Sequence, residues 1–108
     1  QVLDKGKTLV NGNNFQGEDA GGESYGFYGN GFGSTAMFGN LGTNVNGLGT
    51  SAAADNTADN VNAFGEGAGV ENSYTNVNLF GFQATADGNN QTVFSKKYRS
   101  FQKHRIEP

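Results

Sequence analysis

The sequence predicts an all-β chain, a parallel β-solenoid (β-roll) of five 16-residue coils across positions 12–95. Three columns of residues predict it. Glycines recur at Gly17, Gly33, Gly49, Gly65 and Gly81, each 16 positions after the last. Asparagines recur three positions earlier, at Asn14, Asn30, Asn46, Asn62 and Asn78. Alanines recur three positions later, at Ala20, Ala36, Ala52, Ala68 and Ala84. Self-similarity at a short fixed period marks a solenoid, in which each unit is too small to bury its own apolar face and stacks on its neighbours.

The strand comes first within each unit. The residue before each repeating glycine is Gln16, Phe32, Leu48, Phe64 or Phe80, and a valine column runs through Val45, Val61, Val77 and Val93, with Gly29 in the earlier slot. Successive side chains of a strand point to opposite faces. In Asn60 to Phe64, Asn62 and Phe64 therefore share one face, while Val61 and Ala63 share the other. Both faces carry apolar groups, which argues for cover on both sides. The glycine that follows permits a sharp bend. Ala68 and Val70 (Ala36 and Phe38, or Ala84 and Ala86, in other copies) read as a second short alternation. Polar, turn-prone residues such as Glu71 to Thr75 close the coil. Each coil is thus expected to hold two short strands and two bends. Coils ~4.8 Å apart would build a rod of roughly 24 Å. In it an asparagine column would pass amide hydrogen bonds from coil to coil, and a phenylalanine column would fill the narrow interior.

The flanks differ from the body. Positions 1–11 carry apolar residues around Asp4 to Lys7 and read as a capping or linking strand. Positions 96–108 form a basic neck or tail, with Lys96, Lys97, Arg99, Lys103 and Arg105. From Thr8 to Ser95 there is no Lys or Arg, while eight carboxylates fall in that stretch. An acidic body argues against nucleic acid as a partner. No apolar run approaches the ~20 residues of a membrane-spanning helix, so membrane insertion is not expected. With no cysteine there is neither a disulfide framework nor a thiolate metal site.

The unit Asn60 to Ala68 resembles the head repeat of trimeric autotransporter adhesins, and related coils occur in phage and tailocin-like fibre proteins. The likeness covers about residues 12–95, and its last part, Asn76 to Val93, is similar to the final coils of such heads. The resemblance implies a left-handed parallel β-roll in a homotrimer, an extracellular, cell-surface or virion-fibre location, and binding to a host-surface receptor or glycan. The chain departs from that pattern in its Phe-rich column and its long unit.

Other motifs give way to the repeat. Gly31-x-Gly33-x-x-Ala36 and Gly47-x-Gly49-x-x-Ala52 imitate a dinucleotide fingerprint, but no helical pattern follows them. Asp55, Thr57, Asp59 and Glu66 fall at calcium-loop spacing, but Asn60 replaces the required glycine. His104 is the sole histidine and has no identifiable Ser or carboxylate partner. No catalytic residue, cofactor or metal is therefore assigned. The aromatics Tyr25, Phe27, Tyr28, Tyr74 and Phe82 lie off the main column and are candidates for subunit or ligand contact. The expected function is that of a trimeric adhesive fibre segment. The alternative is a subunit of a self-assembling extracellular filament. Ice binding is disfavoured because Thr43, Asp59 and Thr75 break any regular threonine array.

Overall fold

The computed structural model describes residues 12–95; the expected N-terminal cap (1–11) and basic tail (96–108) lie outside them. Six short strands follow one another along the chain: β1 (Asn14–Gln16), β2 (Gly29–Phe32), β3 (Val45–Leu48), β4 (Val61–Phe64), β5 (Val77–Phe80) and β6 (Thr92–Phe94). They form one parallel sheet in sequence order. From β1 to β5 the register steps by 16 residues, with Asn30 against Asn46 and Val61 against Val77. The chain is thus a β-solenoid of about five turns with no helix among the described residues. The expected repeat, its period and its parallel stacking are all present.

The last turn departs from the period. Asn78 pairs with Thr92 and Leu79 with Val93, so this coil is two residues shorter. Val93, expected in the valine column, instead continues the column Phe15, Gly31, Gly47, Ala63 and Leu79. Thr92 takes the place of the next asparagine.

The interior is also filled differently from expectation. Val45, Val61 and Val77 point inward and are fully buried, as are Ala63 and Leu79. Facing them, Ala20, Ala36, Ala52, Ala68 and Ala84 are buried as well. The phenylalanine column does not fill the core. It lies on the outer face of the sheet with the asparagines, where Leu48 is 42% and Phe94 44% exposed. The cause is width: the space between sheet and opposite wall accepts Val and Ala, and takes a larger side chain where a glycine beside it leaves room. Phe15 lies over Gly21, Met37 reaches into the space above Gly31 and Gly47, and Leu79 sits beside Gly69. Large and small residues alternate between the two walls, as close packing requires.

That opposite wall is not the second strand the alternation suggested. It is a ribbon of three overlapping turns. In the coil that starts at β4, Ala68 donates to Gly65, Val70 to Gly67 and Asn72 to Gly69. The third residue of each turn has left-handed backbone: Gly67 at φ +72°, Gly69 at +71° and Glu71 at +57°. This is the type II signature. The left-handed residues face their N–H groups alternately up and down the stack. Gly67 and Glu71 donate to Thr50 and Ala54 of the preceding coil, and Gly69 donates to Ala84 of the next. The ribbon therefore satisfies its backbone between coils without being a strand.

Several of these left-handed positions are not glycine. Glu71 is exposed and falls in one column with Glu23, Gly39 and Asp55, all of them left-handed. A Cβ-bearing residue is disfavoured there, and like charges stack along the column. Glu71→Gly copies Gly39 and is expected to raise stability by about 0.5–1 kcal/mol, after allowing for the looser unfolded chain. A higher urea midpoint with unchanged slope checks this, whereas a lower midpoint shows that the Glu71 side chain stabilises the ribbon.

Candidate functional site

The outward face of the sheet carries three parallel columns. The middle one is the asparagine column read from the sequence. Asn30 Nδ2 donates to Asn46 Oδ1 at 2.8 Å, Asn46 to Asn62 at 2.7 Å and Asn62 to Asn78 at 2.8 Å. Asn78 closes the ladder on the Thr92 hydroxyl at 3.4 Å. Parallel in-register pairing produces this ladder, because equivalent side chains stand one strand spacing apart. Asn14 shares the column by register but is exposed.

One flank is apolar: Phe32, Leu48, Phe64, Phe80 and Phe94, following Gln16. The rings of Phe64 and Phe80 lie 5.5 Å apart, as do those of Phe80 and Phe94, the latter pair stacked at 20°. The other flank is a second asparagine column, Asn44, Asn60, Asn76 and Asn90, every member with left-handed backbone. Asn44 donates to Asn60 at 3.4 Å and Asn76 to Asn90 at 3.0 Å. Between the two asparagine columns runs an open groove of about 370 Å³, lined by Asn44, Asn46, Asn60, Asn62, Asn76 and Asn78. One coil earlier, the outer column is occupied by Tyr28. Its ring is 62% exposed and meets Phe27 edge-on at 6.4 Å.

The other candidate contact residues scatter. Tyr25, Phe27, Tyr74 and Phe82 are all exposed, but they occupy four different columns and form no shared surface. The corner glycines Gly17, Gly33, Gly49, Gly65 and Gly81 and the buried alanine column are architectural. Asp59 of the calcium-like spacing accepts a hydrogen bond from the Thr43 backbone at 2.8 Å. Among the described residues no group of three His, Cys, Asp or Glu is placed to hold a metal, and no helix is long and apolar enough to cross a membrane.

Sequence reasoning missed a third ladder, inside the solenoid. Asn40, Asn56 and Asn72 are buried. Asn56 Nδ2 donates to Asn40 Oδ1 at 2.8 Å and Asn72 to Asn56 at 2.9 Å. Each also ties its own corner: Asn56 Nδ2 donates to the Ala58 carbonyl at 2.7 Å, and Ala58 N–H donates back to Oδ1 at 3.3 Å. Asn40 does the same with Gly42, and Asn72 with Tyr74. The spacing of 16 was present to be seen. Ser24 and Gly88 break the column at its ends, and asparagine in a polar corner reads as solvated.

The exposed face can form hydrogen bonds and make flat apolar contact, and it carries no charge. All eight carboxylates of the described chain stand on corners or on the turn ribbon, away from the strands. Comparison of the chain with protein-family models, with curated proteins and with solved structures returns no match.

Proposed function

We propose that the chain is a non-catalytic, adhesive segment of an extracellular fibre, three copies of which pack around a common axis and leave part of the sheet face free to meet a surface. One observation carries this reading: the row Phe32, Leu48, Phe64, Phe80 and Phe94 runs from β2 to β6 and is only half covered by the chain itself. A contiguous exposed apolar strip of this kind marks an interaction surface. The row is one side chain wide, and three such rows meeting on an axis cover one another. Charge points the same way. The described chain is acidic throughout with no basic residue, so copies repel except across the uncharged sheet face. The resemblance to adhesin heads agrees with this arrangement.

Light scattering of the full chain is expected to give three times the chain mass. Phe64→Ser with Phe80→Ser is expected to yield monomer by weakening association about 100-fold or more, since each buried Phe contributes ~1.5–3 kcal/mol. The inward-facing core is untouched, so the β signal in circular dichroism persists. A wild-type monomer at high concentration refutes the assembly.

The second reading is an open filament. It draws on the separation of charge along the sequence, with an acidic body and five basic residues after position 95. Opposite ends attract in a head-to-tail contact that does not close. Electron microscopy of the same sample separates discrete particles from fibrils.

A further inference from the structure

We infer that the asparagine groove is a binding site for an extended neutral polysaccharide, a β-1,4-linked hexopyranose chain lying along the solenoid axis across the coils. This deepens the adhesive reading and rests on it for its biological sense, but its geometry depends on the single chain alone.

The argument begins with the capacity of the amides. A carboxamide offers two N–H donors and two acceptor lone pairs. Asn46 and Asn62 each spend one donor and one acceptor on the ladder. Each keeps one N–H and one lone pair, and the ladder fixes their direction. The outer column adds Asn44, Asn60 and Asn76 across the groove. The result is two facing rows of donors and acceptors that repeat at every coil, ~4.8 Å apart. Sugar hydroxyls both donate and accept, and each ring of an extended β-1,4-linked chain advances by about one coil spacing, successive rings turning opposite edges to the two rows. Ordered donors lose little entropy on binding, which is the advantage of a preformed site.

The surroundings narrow the class. No charged side chain lines the groove. The nearest column outside it holds Asp59, and no Lys or Arg occurs between Thr8 and Ser95. Sulfated or uronic-acid glycans would meet negative potential with no counter-charge. A neutral glycan meets none. At the N-terminal end of the outer column, Tyr28 supplies an exposed ring, held from the side by Phe27. An amphipathic aromatic face of this kind takes the apolar C–H side of a pyranose while its hydroxyl stays wet. From Tyr28 to Asn76 the site spans three coil steps, about 14 Å at ~4.8 Å each. That length accepts three to four sugar rings.

The test is calorimetric titration of the full chain with cellohexaose and with chitohexaose, with an oligogalacturonate as the anionic control. Binding of one or both neutral hexamers and none of the anionic oligomer is expected. Asn44→Gly/Asn60→Gly/Asn76→Gly removes one row of amides at left-handed positions that glycine accepts. It is expected to abolish binding while melting and oligomer size stay as in wild type. Tyr28→Gly is expected to weaken binding about tenfold. Absence of heat from both neutral hexamers at millimolar concentration overturns the proposal. So does wild-type affinity in the triple variant, or equal binding of the anionic oligomer. Loss of the trimer in the Phe64/Phe80 variant with hexamer binding intact refers to assembly alone.

Discussion

Asn56→Ala is expected to lower the unfolding free energy by about 3–5 kcal/mol, a large part of the stability of a chain this small. Asn56 is fully buried. Its amide donates to Asn40 Oδ1 and to the Ala58 carbonyl, and accepts from Asn72 and from the Ala58 N–H. Alanine deletes all four bonds and supplies no water. Ala58 loses both the acceptor for its N–H and a donor to its carbonyl, and Asn40 loses the donor from the next coil. Leaving buried polar groups unpaired costs ~1–3 kcal/mol each, more than the bonds themselves contribute. Asn62→Ala is the comparison. It breaks two ladder bonds of the same length, 2.7 and 2.8 Å, but on a half-exposed face where water replaces them, so about 1 kcal/mol is expected. Urea unfolding of the two variants, followed by circular dichroism and extrapolated linearly, measures both. Equal losses would show that burial of the inner ladder adds nothing to stability.

The contrast between these two ladders also shows what the sequence reveals of this fold. Period, strand positions and register were legible because the Asn-x-(Phe/Leu)-Gly-x-x-Ala unit repeats without insertion through β5. Which face turns inward was not. Asn62 and Phe64 were correctly placed on one face and Val61 on the other, but hydrophobicity alone favours phenylalanine for the core. The decision rests on the opposite wall, and that wall is read only by pairing positions six apart in the coil. Phe15 with Gly21, Gly31 with Met37, and Ala63 with Gly69 trade volume across a gap of fixed width. Taken column by column, these positions look merely variable. The turn ribbon was hidden for another reason. Left-handed backbone at Thr35, Met37, Ser51, Ala53 and Glu71 is imposed by the hydrogen bonds between coils, against local preference. The groove was half visible: its Asn46, Asn62 and Asn78 column stands out in the repeat, while Asn44, Asn60 and Asn76, one position ahead of the valines, carry no signal that separates them from solvated turn residues.

Gly65→Ala is expected to be at least as damaging as loss of the buried amide, with a cost above about 3 kcal/mol and failure of the rod to form at moderate temperature. Gly65 has φ +135°, a region that residues with a Cβ essentially do not enter. Conformation is only half of the cost. A Cβ built there would lie 2.6 Å from the Gly81 carbonyl oxygen and 2.7 Å from its carbon. The obstacle is backbone of the next coil, which cannot turn aside as a side chain can. Gly33 and Gly49 meet the following corner in the same way, each with a would-be Cβ at 2.8 Å from the next glycine. The corner column is therefore where coils come closest, and one methyl group must open the stack on that side. Opening it stretches the bonds on either side of the corner, Gly65 N–H to Leu48 and Gly81 N–H to Phe64, both 2.7 Å. Gly81→Ala is the graded control. Its Cβ would meet Ser95 at 3.1 Å, at the short final coil, so its cost is expected to be smaller. Thermal melts of the two variants order them: Gly65→Ala well below Gly81→Ala, with wild type highest. The reverse order would mean that the conformational cost outweighs the clash between coils, because φ alone does not favour position 81.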